Sequence, residues 1–466
     1  MKIESIQLKH TLHFNDLLAE FHYHDQPITL ILGDQSTGKT SILRFTYQAL
    51  TWFAARYKDL RTAGLVMLDQ DIMLNRLQSK IDIRIHYPAE IPALSINHAE
   101  DANERSCTWQ LYKTINSQGF GISKAETQQL EHLAACYQKA LVDDPLLGLP
   151  LIAYYPAERF VNEVSLLNKN NPAIFQAAHA YEISAIPFTT FPRFFEWLRE
   201  VCDIENAQSA QMVQDILNQN KLPLASNATP SDYIASRIAQ AHAEIRAPAL
   251  QSLRRALEIV LPEFSNLYLQ YHPKLQLMVS YQGKTMQFQQ LSNSIRNLVA
   301  LIGDIVRRMC LLNPSSLYPC EEGDGILLID AIDHQLDQNM AQSILPRLHQ
   351  AFPRLQIIAT GNRLELLEQA SGFQCLKLEN KQLLPIPTEQ RQQRFEEIYA
   401  QLNLTENTPS IEKEDELPLL QESTLENATA ESVLQQIQEQ LNTEQQQELI
   451  RLLVNIDPNI SKNTLL

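Results

Sequence analysis

Residues 28–50 constrain the fold of this chain more than any other stretch. The apolar run Ile28-Thr29-Leu30-Ile31-Leu32 ends at Gly33-Asp34-Gln35-Ser36-Thr37-Gly38-Lys39-Thr40, and Ser41 to Leu50 then place apolar residues at helical spacing with no Gly or Pro. Strand, glycine-bearing turn and helix in that order let backbone N–H groups at a helix N terminus cradle phosphates. Gly33 and Gly38 permit the turn, Lys39 reaches the outer phosphates, and the Thr40 hydroxyl can ligate Mg²⁺. Gly33, Asp34, Gln35, Ser36, Thr37, Gly38, Lys39, Thr40 and Ser41 are therefore the expected nucleotide site, with ATP and Mg²⁺ as its ligands.

A loop of this kind needs a second acidic group at the end of a nearby parallel strand, to orient the metal and its waters. Gly325-Ile326-Leu327-Leu328-Ile329-Asp330 supplies one, so Asp330 joins Thr40 as an expected Mg²⁺ ligand. The bland alternative is a buried strand ending in a polar turn.

The 466 residues exceed what one core usually serves. A net charge of −16 speaks against coating DNA by charge alone, so DNA is a possible partner that the balance does not indicate. The cysteines at 107, 136, 202, 310, 320 and 375 show no paired spacing, which fits a reducing cytoplasm. Neither a signal peptide nor a bilayer-spanning apolar run is evident, so no membrane role is expected. His22 and His24 flank Tyr23 on an expected strand and could share a metal, though surface decoration is the commoner outcome.

Five segments are expected. Residues 1–160 form an N-lobe with the phosphate loop: strands at Ile3 to Leu8, Leu18 to Tyr23 and Ile81 to His86, then Leu149 to Pro156 closing the lobe. Residues 161–262 read as a helical insertion, with helices around Phe194 to Glu200, Asp232 to Ala247 and Leu250 to Val260. Residues 263–400 return to α/β, with strands at Leu275 to Val279, Gly325 to Asp330 and Leu355 to Thr360. Residues 401–428 are an acidic linker. Residues 429–466 are a helical hairpin whose faces carry Val433, Leu434, Ile437 and Leu441, then Leu449, Ile450, Leu452, Leu453 and Ile456; it either docks on the core or binds a partner.

Leu291-Ser292-Asn293-Ser294-Ile295-Arg296-Asn297, running on to Asp304 shortly before Asp330, resembles the signature motif of ABC-type ATPases. A phosphate loop near the N terminus, a helical insertion, then signature and Walker B segments close together resemble the RecF/SMC-like branch over residues 1 to 375. The resemblance implies a P-loop NTPase ABC-type head in two lobes, in which two heads sandwich ATP between the loop of one and the signature Ser292, Asn293 and Ser294 of the other.

Three positions depart from the family pattern. Ser294 stands where the family has Gly, and its Cβ crowds the approach to the γ-phosphate. Ala331 replaces the glutamate that acts as general base, and Asp333, two residues on, serves in its place only if the loop rearranges. Asn362 replaces a histidine, keeping an amide donor but losing a proton carrier. Binding is thus expected to persist while hydrolysis is weak or absent. The expected role is an ATP-binding subunit that forms dimers or larger homo-oligomers and regulates a nuclease or toxin effector, in bacterial defence against phage or plasmids, as proteins of this branch often do. The alternatives are an active ATPase acting on DNA in repair or chromosome maintenance, and a scaffold in which ATP is a permanent stabilising ligand.

Overall fold

The computed structural model describes residues 1–23, 25–94, 105–159, 161, 176–181, 190–219 and 248–387. The helix expected at Asp232 to Ala247, the acidic linker, the C-terminal hairpin and His24 lie outside the described residues. From the N terminus, β1 (Lys2–Thr11) and β2 (Phe14–Glu20) make a hairpin, and β3 (Ile28–Leu32) leads into α1 (Lys39–Lys58). There follow β4 (Gln78–His86), β5 (Ser106–Ile115), β6 (Gly121–Glu126), α2 (Gln128–Asp143), β7 (Leu151–Tyr155), α3 (Thr190–Gln219) and α4 (Pro248–Val260). The remainder runs β8 (Phe264–Gln270), β9 (Gln276–Tyr281), β10 (Lys284–Gln287), α5 (Asn293–Leu312), β11 (Gly325–Ile329), α6 (Gln338–Ala351), β12 (Leu355–Gly361), β13 (Gln374–Glu379) and β14 (Gln382–Pro385). The fold is mixed α/β.

One sheet carries the functional edge. Its order is β14-β13-β3-β12-β11-β7, parallel throughout except at β14. Every residue of β3, β7, β11 and β12 is buried, which is why their sequences read as apolar runs rather than alternations. Leu32 pairs with Gly361, Ala359 with Ile329, and Ile329 with Tyr155. The chain therefore leaves β3, β12, β11 and β7 along a single edge, where ligands of open parallel sheets bind.

The stretch from Leu149 to Pro156, expected to close the first lobe, contributes a strand to this same sheet. Strand β7 lies beside β11, from the second half of the chain. An all-apolar strand such as Leu151–Tyr155 has two faces to bury, and a central layer flanked by helices covers both.

The second sheet, β2-β1-β4-β5-β6, is antiparallel. Helix α1 packs on β7, β11 and β12 and also on β4 and α2, so it is buried on several sides, and Trp109 of β5 donates its indole N–H to Ala49 O at 3.0 Å. Two buried glutamines join the sheets as surrogate peptides. Gln356 of β12 accepts from Ile3 N at 2.6 Å and donates to Ile3 O at 3.1 Å. Gln374 of β13 accepts from the Thr29 hydroxyl and donates to Glu20 O, both at 2.9 Å. A third sheet, β10-β9-β8, is a meander.

Helix α5 is buried along most of its length and packs on α3, α4 and β7. Gly303 lets α3 approach: a Cβ there would fall 2.3 Å from the Phe194 ring. Each large apolar side chain removed from water in this way contributes about 1.5–3 kcal/mol.

Candidate nucleotide site

The loop after β3 is exposed from Asp34 to Ser36, while Lys39 at the start of α1 is buried. Gly38 sits at the N-cap with φ 108°, a left-handed conformation that a side chain would strain. Space forbids one too, because a Cβ would lie 2.3 Å from His13 Nε2 and 2.7 Å from Phe14 Cζ. His13, at the tip of the β1–β2 hairpin, hydrogen-bonds Thr37 O at 3.0 Å. The Thr37 hydroxyl donates to Asp34 O at 2.9 Å. No side chain caps α1, so its first N–H groups keep their hydrogen-bonding capacity for an anion.

Lys39 Nζ donates to Gly33 O at 2.5 Å and to Asp34 O at 2.7 Å, folding back over the loop it would serve. Burial lowers its pKa, opposed by the nearby carboxylates of Asp330, Asp333 and Asp34. An arriving phosphate offers the ammonium the counter-charge that two carbonyls cannot.

Asp330 follows β11 and is buried. Its Oδ1 accepts the Thr360 hydroxyl, and the same hydroxyl oxygen accepts Ala331 N at 2.8 Å. Its Oδ2, though buried, has no hydrogen-bond partner among the described residues. A buried, unpartnered carboxylate oxygen is costly. It is also the kind of oxygen that a hard cation takes as a ligand.

The positions of the expected attack chemistry are arranged differently. Ala331 lies in the left-handed region at φ 44°, its N–H taken by Thr360 and its carbonyl by Arg159. Asp333 is no substitute base as it stands. Its Oδ2 accepts Asn362 N at 2.8 Å and Arg363 N at 2.7 Å, so this buried carboxylate caps the turn after β12. Asn362 itself is exposed at that turn.

The signature-like residues lie elsewhere. Ser292 is the N-cap of α5, its hydroxyl accepting Ile295 N at 3.4 Å, and Asn293 Oδ1 accepts from Arg296. Ser292 and Ser294 line a groove of about 670 Å³ with Gln335, Asp337, Asn339 and Arg363. Thus Lys39, Asp330 and Asp333 come together electrostatically, whereas no hydrogen bond joins Ser292, Asn293 or Ser294 to the phosphate loop among the described residues. The expected pairing of His22 with His24 lies outside the described residues, since His24 does; among the described residues no group of three or more His, Cys, Asp or Glu could hold a metal ion.

Two features went unread in the sequence. Arg159, just after β7, is buried and donates to Pro156 O, Asp330 O and Ala331 O. Asp304, Arg307 and Arg308 of α5 form a buried ion cluster, with Asp304 at 2.9 Å from Arg307, 2.7 Å from Arg308 and 2.8 Å from the Tyr155 hydroxyl. The charge pattern Asp304, Arg307, Arg308 at helical i, i+3, i+4 spacing is visible in the sequence, but its burial is not. Burial alone would raise the Asp304 carboxyl, yet Arg308 and Arg307 outweigh it and hold the group below its ordinary value.

No protein-family model matches the chain. It is 25% identical over 416 residues to the Retron Ec83 probable ATPase of Escherichia coli, covering 83% of this chain and 73% of that protein. It is 24% identical over 376 residues to the Retron Vc95 probable ATPase of Vibrio cholerae serotype O1 biovar El Tor, covering 77% of this chain and 70% of that protein. Both relatives carry the name of a probable ATPase. Among solved structures, the SMC head bound to the C-winged helix domain of ScpA is similar at TM-score 0.44 and 12% identity, over 84% of this chain and 100% of that one. The recombination mediator RecF is similar at 0.37 and 10%, over 83% and 98%. The positions expected for the family's signature glycine, Walker B glutamate and histidine hold Ser294, Ala331 and Asn362. No described helix is long and apolar enough to cross a membrane.

Proposed function

We propose that this chain is an ATP-binding subunit that uses Mg²⁺–ATP to assemble with further copies of itself and to regulate a partner effector, a nuclease or toxin, in a retron-type defence system. Hydrolysis is weak or absent. Both relatives are named as retron probable ATPases, which supports the setting. The single observation that carries the chemistry is the contrast at one sheet edge. Lys39, an uncapped helix N terminus and the free Oδ2 of Asp330 suit a metal-bound triphosphate, while the residue placed to activate water is Ala331.

In this reading Gly33 to Ser41 hold the phosphates, Thr40 and Asp330 hold Mg²⁺, and Ser292, Asn293 and Ser294 face the nucleotide of a second copy. Bound Mg²⁺ supplies charge neutralisation between the outer phosphates. Removing a well-placed base commonly costs about two to four orders of magnitude in rate. The ligand therefore persists long enough to act as a signal.

Isothermal calorimetry and phosphate release on the purified full chain test this together. Micromolar ATP binding with turnover far below that of active RecF/SMC-like ATPases is expected. Fast turnover, or turnover stimulated by DNA, would instead favour an ATPase working on DNA.

A further inference from the structure

The far end of α1 carries a second feature. Tyr47, Thr51, Ala54, Ala55 and Lys58 recur at helical spacing and share one face of the helix. That face lines a cleft of about 520 Å³, whose other side is formed by Leu149, by Ile152 of β7 and by the short 3₁₀ turn Ala177–Tyr181. Ala54 and Ala55 keep the volume open, because a larger side chain at either position would fill it. At about 1.5 Å of rise per residue, Ala54 lies roughly 22 Å along the helix from Lys39. The cleft is therefore separate from the phosphate loop.

Its walls are fixed by the protein's own hydrogen bonds. After α1 the chain turns back along the helix, and the Thr51 hydroxyl donates to Gln48 O at 2.7 Å while accepting Leu65 N at 2.9 Å. Trp52 donates its indole N–H to Leu65 O at 2.9 Å, and Arg56 donates to Leu60 O at 2.6 Å and to Thr62 O at 3.0 Å. Gly64 permits this close return, since a Cβ there would fall 2.6 Å from Trp52 Cδ1 and 2.8 Å from Thr51 Oγ1. On the opposite wall the Tyr181 hydroxyl donates to Pro150 O at 2.8 Å. A pre-formed, mostly apolar cleft with a few placed polar groups, within about 300–1,000 Å³, is how small-molecule sites are built.

The polar groups left over define the ligand. Among the described residues that line the cleft, Lys58 is the one charged side chain and none is a carboxylate, so the lining is positive in a chain of net charge −16. Lys58 is exposed and makes no ion pair among the described residues. One residue before it, the half-buried Tyr57 ring stacks on Phe53, and its hydroxyl has no hydrogen-bond partner among the described residues. Burial raises the Tyr57 pKa, which keeps that hydroxyl a neutral donor. We propose that this cleft binds a small planar aromatic anion, its one or two rings lying between the Ala54–Ala55 face and Ile152, with the Tyr57 hydroxyl donating to it and its carboxylate or sulfonate held at Lys58. The site is independent of the nucleotide reading and stands or falls without it.

The test is a fluorescence titration of the full chain with anilinonaphthalene sulfonate, a planar aromatic anion, and with phenylnaphthylamine, its counterpart without the sulfonate. Saturable binding of the anion at one site per chain is expected. Ala54→Phe fills the cleft and should weaken both dyes by at least about tenfold. Lys58→Glu, at an exposed position, should weaken the anion by about tenfold and the neutral dye by less than about twofold. Lys39→Ala should leave both dyes unaffected, since the phosphate loop is elsewhere. If Ala54→Phe does not fold, Lys58→Glu decides the matter. The proposal is overturned if anion binding does not saturate, if Ala54→Phe keeps wild-type affinity at an unchanged thermal midpoint, or if Lys58→Glu moves both dyes equally. Loss of dye binding in Lys39→Ala would place the dye at the phosphate loop and overturn it as well, whereas failure of ATP to bind the wild type bears on the nucleotide reading alone.

Discussion

The phosphate loop and the Walker B turn stand a strand apart on one sheet edge, and they are built in opposite ways. At the loop, conformation is set locally: a left-handed Gly38, a Thr37 hydroxyl on Asp34 O, and a lysine folded over its own carbonyls. At the Walker B turn almost every contact is long-range. Thr360 from β12 holds Asp330 and Ala331, Arg159 from beyond β7 holds their carbonyls, and Tyr155, bonded to Asp304 of α5, offers its own carbonyl to Asp330 N. The loop takes one further contact from outside, His13 on Thr37 O. The turn at Asp330 and Ala331 is instead held by segments far apart in sequence.

Substitutions can break or sharpen this contrast. The largest expected effect is on the long-range side. Asp304→Asn leaves Arg307 and Arg308 buried without their carboxylate and should lower stability by about 3–5 kcal/mol, measured as a fall in urea midpoint. The same group predicts the pH behaviour. Its folded pKa lies below the unfolded value, so its contribution is full above about pH 4 and fades as pH falls through the folded value. That acid-dependent component should be absent from Asp304→Asn, and an unchanged acid profile would show that the cluster contributes nothing.

Next in size is Lys39→Ala, which should weaken ATP binding by about two orders of magnitude in calorimetry, in line with loss of a charged hydrogen bond to phosphate. A matching collapse of thermal stability would contradict the view that the loop is locally built. Ala331→Glu should raise phosphate release by about tenfold, less than a fully placed base provides because Ser294 and Asn362 remain. The backbone at 331 is held on both sides, so the new carboxylate leaves from a fixed point. No rise would mean that the other two positions limit the rate. Asn362→His alone should change turnover by less than about threefold, since an imidazole that steadies a water accomplishes little without a base to deprotonate it.

Much of this arrangement was legible in advance. Ile28 to Leu32 and Gly325 to Ile329 read as buried strands because their residues are almost all apolar, Leu355 to Thr360 reads as a strand, and all three are strands with every residue buried. The β5–β6 hairpin went unread, although Cys107, Trp109 and Leu111 alternate along β5 in the manner of a half-buried strand. Helix α2 was likewise visible in the spacing of Leu130, Leu133, Ala134 and Tyr137. The neighbour of β7 was not legible: a short apolar strand looks the same whichever strand it pairs with, and β11 lies some distance along the chain.

The sequence by itself determined the phosphate loop, because a turn that needs Gly33 and Gly38 next to Lys39 and Thr40 is specified within eight consecutive residues. It also determined which groups are missing, since Ala331 lacks a carboxylate in any fold. Only the tertiary structure decided what stands around them. That Asp333 caps the turn at Asn362, that Asp330 keeps one oxygen free, and that Arg159 grips the Walker B turn all follow from strand order. Strand order is settled by which apolar faces bury one another, and no short stretch of sequence carries that information.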